Sequence, residues 1–229
     1  MNQLSKSNLR AFFACFSKAA PHLPKATGNL YEVFVFLEVC ETAERLGFSI
    51  SMVAPGPTFV FRASPGNLGA GFGYAQLTNR AGQCLELHNG IEVLGHSGMQ
   101  HEIDVLVLKN SHSAMSPNSL RSSLVLTVEC KHYDSVNRLK GEVRKVVGAV
   151  TDWSDSAHPS KLTGHSQGCL HCGRGFDALF ATSVLHHLRP DIEAFLATYD
   201  VAPCFGALPG RGGMSHLSQT LREVLLPLA

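Results

Sequence analysis

The sequence predicts an α/β fold, a mixed β-sheet core flanked by helices. Three observations carry that expectation: a long helical pattern over residues 29–46, two aliphatic and β-branched runs at 102–108 and 124–131, and helices alternating with short apolar runs from residue 139 onward. With 229 residues and 45% hydrophobic content, the chain can bury one well-packed core. Only 16% of residues are charged, too few for extended disorder.

Each element has its own signal. Leu4, Leu9, Phe12, Phe13 and Phe16 give residues 4–20 an amphipathic helical pattern, ended by Pro21 and Pro24. Asn29 suits the N-cap of the next helix and Gly47 its stop. Short apolar runs follow at 49–53 and 58–62, and the glycine-rich 65–73 separates them from runs at 83–87 and 91–94. EIDVLVL at 102–108 and LVLTVECK at 124–131 read as strands, joined by a Ser-, Asn- and Pro-rich loop. Residues 139–153 suit a helix, 154–175 a polar loop, 177–185 a buried strand, 190–199 a helix opened by Pro190, and 201–208 a short strand. Residues 215–228 keep a helical pattern until Pro227, and no internal repeat is visible. The expected organisation is an N-terminal helical extension over 1–27, a core domain over 28–208 and a C-terminal helical tail over 209–229.

A net charge of +1 confines any nucleic-acid surface to a local patch. The seven cysteines are odd in number and scattered, and residues 1–10 are polar with no apolar signal-peptide core. Reduced thiols and a cytoplasmic setting are expected, without a membrane span.

Within the two strand runs, charged residues interrupt apolar faces. Residues two apart on a strand share a side, so Glu129 and Lys131 project together while Leu126, Val128 and Cys130 line the other. Asp104 is expected to share its face with Leu106 and Leu108, opposite Ile103 and Val105. Consecutive strands pair by default, which would bring Asp104 close to Glu129. Buried charges need pairing, ligation or solvent. Two clustered carboxylates suit Mg²⁺ or Mn²⁺ better than zinc. Such an ion polarises a phosphodiester and helps generate hydroxide, and Lys131 adds positive charge beside the reacting phosphate. The bland alternative is a salt bridge at the end of a strand.

HEIDVLVL followed by LTVECKHY resembles the D…ExK core of the PD-(D/E)xK nuclease superfamily, in its restriction-endonuclease-like, Mrr-like branch. LKGEVRKVVG, from Leu139, resembles the helix after ExK, and residues 28–32 the start of the first core helix; the order of elements over about 28–208 follows the same plan. Ile103 stands where the nominal motif has proline. The resemblance implies a Mg²⁺- or Mn²⁺-dependent endonuclease cutting DNA, with Asp104 and Glu129 as metal ligands, Lys131 as electrostatic catalyst and Glu32 as a supporting acid on the first helix. It also implies restriction, defence or repair, and a homodimer for double-strand cutting. At about 100° per residue, Glu32 aligns with the apolar Phe36, Val39 and Ala43, while Glu38, Glu41 and Arg45 lie on the other side. A buried Glu32 bonded to backbone is the alternative. Arg138, Lys140, Arg144 and Lys145 form a basic patch suited to phosphates, or else a solvated helix face. His101 and His132 are further neighbours of the expected site.

Three other motifs compete. GHSQG at 164–168 matches a nucleophile elbow with Ser166 as nucleophile and Asp177 or Asp191 and His216 as partners, but its flanks lack the required strand and helix. Cys169 and Cys172 form a C-x-x-C that could hold a structural Zn²⁺ with His165, His171 or Cys204, or remain two reduced thiols. Gly66–Gly73 lacks the Lys-Ser/Thr of a phosphate loop and reads as a mobile connection beside the substrate. A non-catalytic nucleic-acid-binding module of the same fold is the remaining alternative, and it would have no need of Asp104, Glu129 and Lys131 together.

Overall fold

The computed structural model describes residues 28–56, 59–68, 71–109, 120–133, 138–154, 176–184, 190–208 and 211–229. The expected helix at 4–20, Ser166 and its motif, and the Cys169/Cys172 pair with His165 and His171 all lie outside the described residues.

The expected mixed α/β sheet is present. Among the described residues seven strands form one sheet in chain order: β1 (Ser49–Val53), β2 (Tyr74–Thr78), β3 (Cys84–Leu94), β4 (Gln100–Lys109), β5 (Leu124–Lys131), β6 (Asp177–Thr182) and β7 (Val201–Cys204). The first five are antiparallel to their neighbours, whereas β5, β6 and β7 run parallel. Parallel neighbours need crossovers, and helices α2 (Leu139–Trp153) and α3 (Pro190–Thr198) stand between those strands in the chain. Helices α1 (Gly28–Arg45) and α4 (Gly212–Leu225) share one hydrophobic cluster, and α2 and α3 share the other.

Helix α1 already includes Gly28, so Asn29 is helical instead of capping. Its burial is wider than one stripe: Tyr31, Val33 through Val39 and Cys40 are all buried. Glu38 departs from the expected outer face and is only 3% exposed. Its Oε1 accepts a 2.5 Å hydrogen bond from the Ser218 hydroxyl on α4. Helical periodicity within α1 carries no information about that second helix. The expected C-terminal tail is helical in α4, where Leu217, Leu221, Val224 and Leu225 join the cluster of α1.

Strict alternation fails at Asp104. Val105 and Val107 belong to the α1–α4 cluster, and Leu106 and Leu108 to the α2–α3 cluster. Ile103, expected on the side of Val105, packs instead with Leu106 and Leu108. The paired strand changes sides at the same level, with Leu85 and Leu87 in the first cluster but Ile91 and Val93 in the second. Between the pairs Asn89↔Val105 and Ile91↔Ile103 stands Gly90, at φ +60. That left-handed backbone favours glycine and turns the far end of the hairpin toward α2.

The turned hairpin is latched to the end of α2. Asp152 accepts hydrogen bonds from the Ser97 N–H at 2.8 Å and the Ser97 hydroxyl at 2.6 Å, and its carboxylate lies 2.7 Å from His101 Nε2. The Trp153 indole N–H donates to the Val93 carbonyl at 3.4 Å. Burial opposes ionisation of Asp152, yet these bonds hold its carboxyl down at about 2. A Cβ at Gly95 would overlap the Asp152 carboxylate. Gly95→Ala is expected to cost roughly 1–3 kcal/mol, as overpacking does. Thermal unfolding should show a melting temperature lowered by several degrees, and an unchanged one would refute the latch.

Candidate active site

β4 and β5 pair through Val105↔Val128 and Leu106↔Thr127, so Asp104 and Glu129 follow at the same end of the ladder. Asp104 is only 3% exposed. Its Oδ2 accepts the Cys130 N–H at 2.7 Å and the Lys131 ammonium at 3.0 Å. The same Lys131 Nζ lies 2.5 Å from Glu129 Oε1. Glu129 and Lys131 therefore share a side of β5, and one ammonium joins the carboxylates of two strands. Oxygens that meet on one nitrogen are close enough to converge on a single cation.

Glu32 extends the cluster from α1. Burial, followed by the negative charges of Asp104 and Glu102, pushes its carboxyl up to about 7 against the pull of Lys131. Burial and Asp104 likewise raise Glu129 to about 8, opposed by Lys131. Burial works against the Lys131 ammonium, but the Glu129 and Asp104 carboxylates hold its pKa above the ordinary lysine value. Glu102 was not singled out from the sequence, although a residue two before Asp104 on one strand is an obvious neighbour. Burial, Asp104 and Glu92 all raise its carboxyl. It pairs directly with Glu92 across β3 and β4, an unfavourable like-charge pair. The second missed feature is the Cys130 N–H, a backbone donor that residue identity cannot reveal.

The other expected neighbours divide. Lys140 lies 3.4 Å from Asp191, and Lys145 lies 2.9 Å from Glu142. Arg138 and Arg144 are exposed and have no ion-pair partner among the described residues. Tyr133 links the patch to the site, since Glu142, Lys131, Lys145 and Arg138 all act on its hydroxyl after burial. His132 stacks at a tilt on Tyr31, with ring centroids 5.8 Å apart. His101 belongs to the Asp152 latch instead, packed edge-on against Trp153.

Among the described residues no three His, Cys, Asp or Glu side chains form a ready metal cage. The donor chemistry nevertheless fits a hard divalent cation, because Glu32, Glu102, Asp104 and Glu129 face a single lysine charge and supply oxygen alone. The raised Glu32 and Glu129 carboxyls report their burial first and the neighbouring negative charge second.

The elevation has a pH consequence. A carboxyl raised in the folded state stabilises the fold while protonated, and that contribution is lost as pH rises from the unfolded value near 4 through about 8. A divalent cation taken up by these carboxylates would have to displace the proton. Calorimetric Mn²⁺ titrations should therefore give an affinity rising by more than about tenfold from pH 6 to 8 and levelling only above pH 8. A flat profile would contradict the coupling.

No protein-family model, curated protein or solved structure matches the chain. Among the described residues no helix is long and apolar enough to cross a membrane.

Proposed function

We propose that the protein is a metal-dependent nuclease of the PD-(D/E)xK, restriction-endonuclease-like kind, hydrolysing DNA phosphodiester bonds. The observation that carries this reading is the convergence of Asp104 and Glu129 on the Lys131 ammonium at the end of two adjacent strands. Asp104 and Glu129 would hold Mg²⁺ or Mn²⁺, with Glu32 as supporting acid. The ion supplies charge neutralisation at phosphorus and a more acidic water. The Cys130 N–H keeps Asp104 oriented, and Asp104 in turn keeps the Lys131 ammonium at the site. Lys131 stabilises negative charge as water attacks phosphorus and the bridging P–O bond breaks. Arg138 and Arg144, with Lys140 and Lys145, offer positive charge to flanking phosphates.

The setting proposed is cytoplasmic, in restriction, defence or repair, with a homodimer for double-strand cutting. The described Cys40, Cys84, Cys130 and Cys204 are all free thiols, as a reducing compartment requires. The test is to incubate purified protein with supercoiled plasmid and single-stranded DNA in Mg²⁺, Mn²⁺ or EDTA. Nicking in metal and none in EDTA is expected. Intact DNA under every condition would overturn the nuclease reading.

A further inference from the structure

Alongside β3 stands an arginine, Arg62, with no acid to balance it among the described residues. Arg62 is 6% exposed, and the described residues offer it no carboxylate. Its NH2 donates to the Asn67 carbonyl at 2.6 Å, and its guanidinium carbon stands 4.5 Å over the Phe72 ring. Its remaining side-chain nitrogens are not among the fully buried unsatisfied atoms, so they keep a narrow path to solvent.

The slot around it is built. Asn89 on β3 clamps the Arg62 backbone from both sides, accepting its N–H at 3.2 Å and donating to its carbonyl at 3.0 Å. Two glycines make room: a Cβ at Gly66 would stand 2.9 Å from Arg62 NH1, and one at Gly90 would stand 3.3 Å from the Arg62 Cβ. Gly66 also bonds to β3, its N–H to the Gly90 carbonyl at 3.1 Å and its carbonyl to the Glu92 N–H at 3.0 Å. An Asn, two glycines and an aromatic ring thus hold a cation whose desolvation no acid offsets among the described residues. A buried charge of that kind is costly and calls for an anion.

Its place in the sheet indicates which anion. The Arg62 segment lies against β3 at Gly90, on the level where β4 carries Asp104. Two strand spacings, roughly 10 Å, therefore separate it from the Asp104 backbone. That is about three nucleotide steps at 3.4 Å of rise.

We infer that Arg62 receives a backbone phosphate of the substrate strand, a few nucleotides from the bond cut at Asp104 and Glu129. This rests on the nuclease reading above. The planar guanidinium, already fixed by Phe72 and Asn67, presents its open N–H donors to phosphate oxygens as a fork. The contact positions the strand and carries no base sequence.

DNA affinity should be measured against salt, in Ca²⁺, for the full-length protein and its Arg62→Gln and Arg62→Lys variants, on an oligonucleotide that the unaltered protein cleaves in Mg²⁺. Losing one phosphate contact should lower the slope of log K against log salt by about 0.9 in Arg62→Gln, with weaker binding at low salt. Arg62→Lys should keep the slope. KM for cleavage should rise severalfold in Arg62→Gln while kcat holds, which a merely structural arginine would not do. An unchanged slope in a folded Arg62→Gln, beside a cleaving unaltered protein, would overturn the inference and leave the nuclease reading intact. An unaltered protein that neither binds nor cuts DNA would overturn both.

Discussion

Glu129→Gln and Asp104→Asn should each reduce the proposed metal-dependent DNA cleavage by at least about a hundredfold, because each removes an anionic ligand from the proposed two-carboxylate site. Their effects on stability should differ. Glu129 is forced to ionise near its neighbours, and burial with the Asp104 charge has already raised it to about 8. The neutral amide removes that repulsion, so metal-free Glu129→Gln should unfold at the same temperature as the unaltered protein, or higher, at pH 8. Asp104 orders two donors at once, the Cys130 N–H at 2.7 Å and the Lys131 ammonium at 3.0 Å. Asp104→Asn removes the charge that balances the buried ammonium, and a loss of about 1–3 kcal/mol is expected. Denaturant melts beside a plasmid assay separate the two quantities. A Glu129→Gln protein that cuts DNA normally would remove Glu129 from the site.

Lys131→Met should be the most destabilising change at the site when metal is withheld. Lys131 is 17% exposed in its side chain, against 5% for Asp104 and 20% for Glu129. Deleting one member of a buried ion cluster strands the others, typically at 3–5 kcal/mol. Partial exposure lowers the expectation here to about 2–4 kcal/mol. The sign depends on pH. Without the ammonium the Glu129 and Glu32 carboxyls, already raised to about 8 and about 7, protonate still more readily, so the loss is small at pH 5 and larger at pH 8. Millimolar Mg²⁺ should restore much of the stability, since the cation replaces the missing charge, while cleavage stays at least about a hundredfold down. Chemical denaturation at pH 5 and 8, with and without Mg²⁺, reads all of this. Stability insensitive to both pH and Mg²⁺ would mean that Lys131 is an ordinary strand-end partner.

Much of the sheet was legible because local periodicity and composition agree in its central elements. β5 runs over Leu124–Lys131 and α2 over Leu139–Trp153, the same bounds that the patterns of β-branched and amphipathic residues indicate. Tyr74–Thr78 was not recognised as a strand, since YAQLT is short and neighbours a glycine-rich stretch. The runs at 83–87 and 91–94 proved to be one strand, β3, because Gly90 bends the ladder without ending it. The run at 58–62 is not a strand over its described residues; Phe59 and Phe61 pack on Phe36 and give it an apolar look.

At the site, the shared side of Glu129 and Lys131 follows from a period of two, and the nearness of Asp104 from default pairing. Helix geometry turned Glu32 inward and set it apart from Glu41, in keeping with the influence of Asp104 on its carboxyl. What remained hidden depends on contacts between distant segments. Ser218 and α4 bury Glu38, Asp152 takes His101 away from the site, and Asn89 clamps Arg62. None of these pairings leaves a trace in the periodicity of either partner.

In the proposed site Asp104 and Glu129 share a divalent cation beside Lys131. Anomalous diffraction from crystals soaked in Mn²⁺ at pH 8 tests it most directly. A single strong peak about 2.1 Å from an oxygen of each carboxylate is predicted, and it should vanish in Glu129→Gln. Absence of a peak there, or manganese held only by residues away from these two strands, would contradict the account.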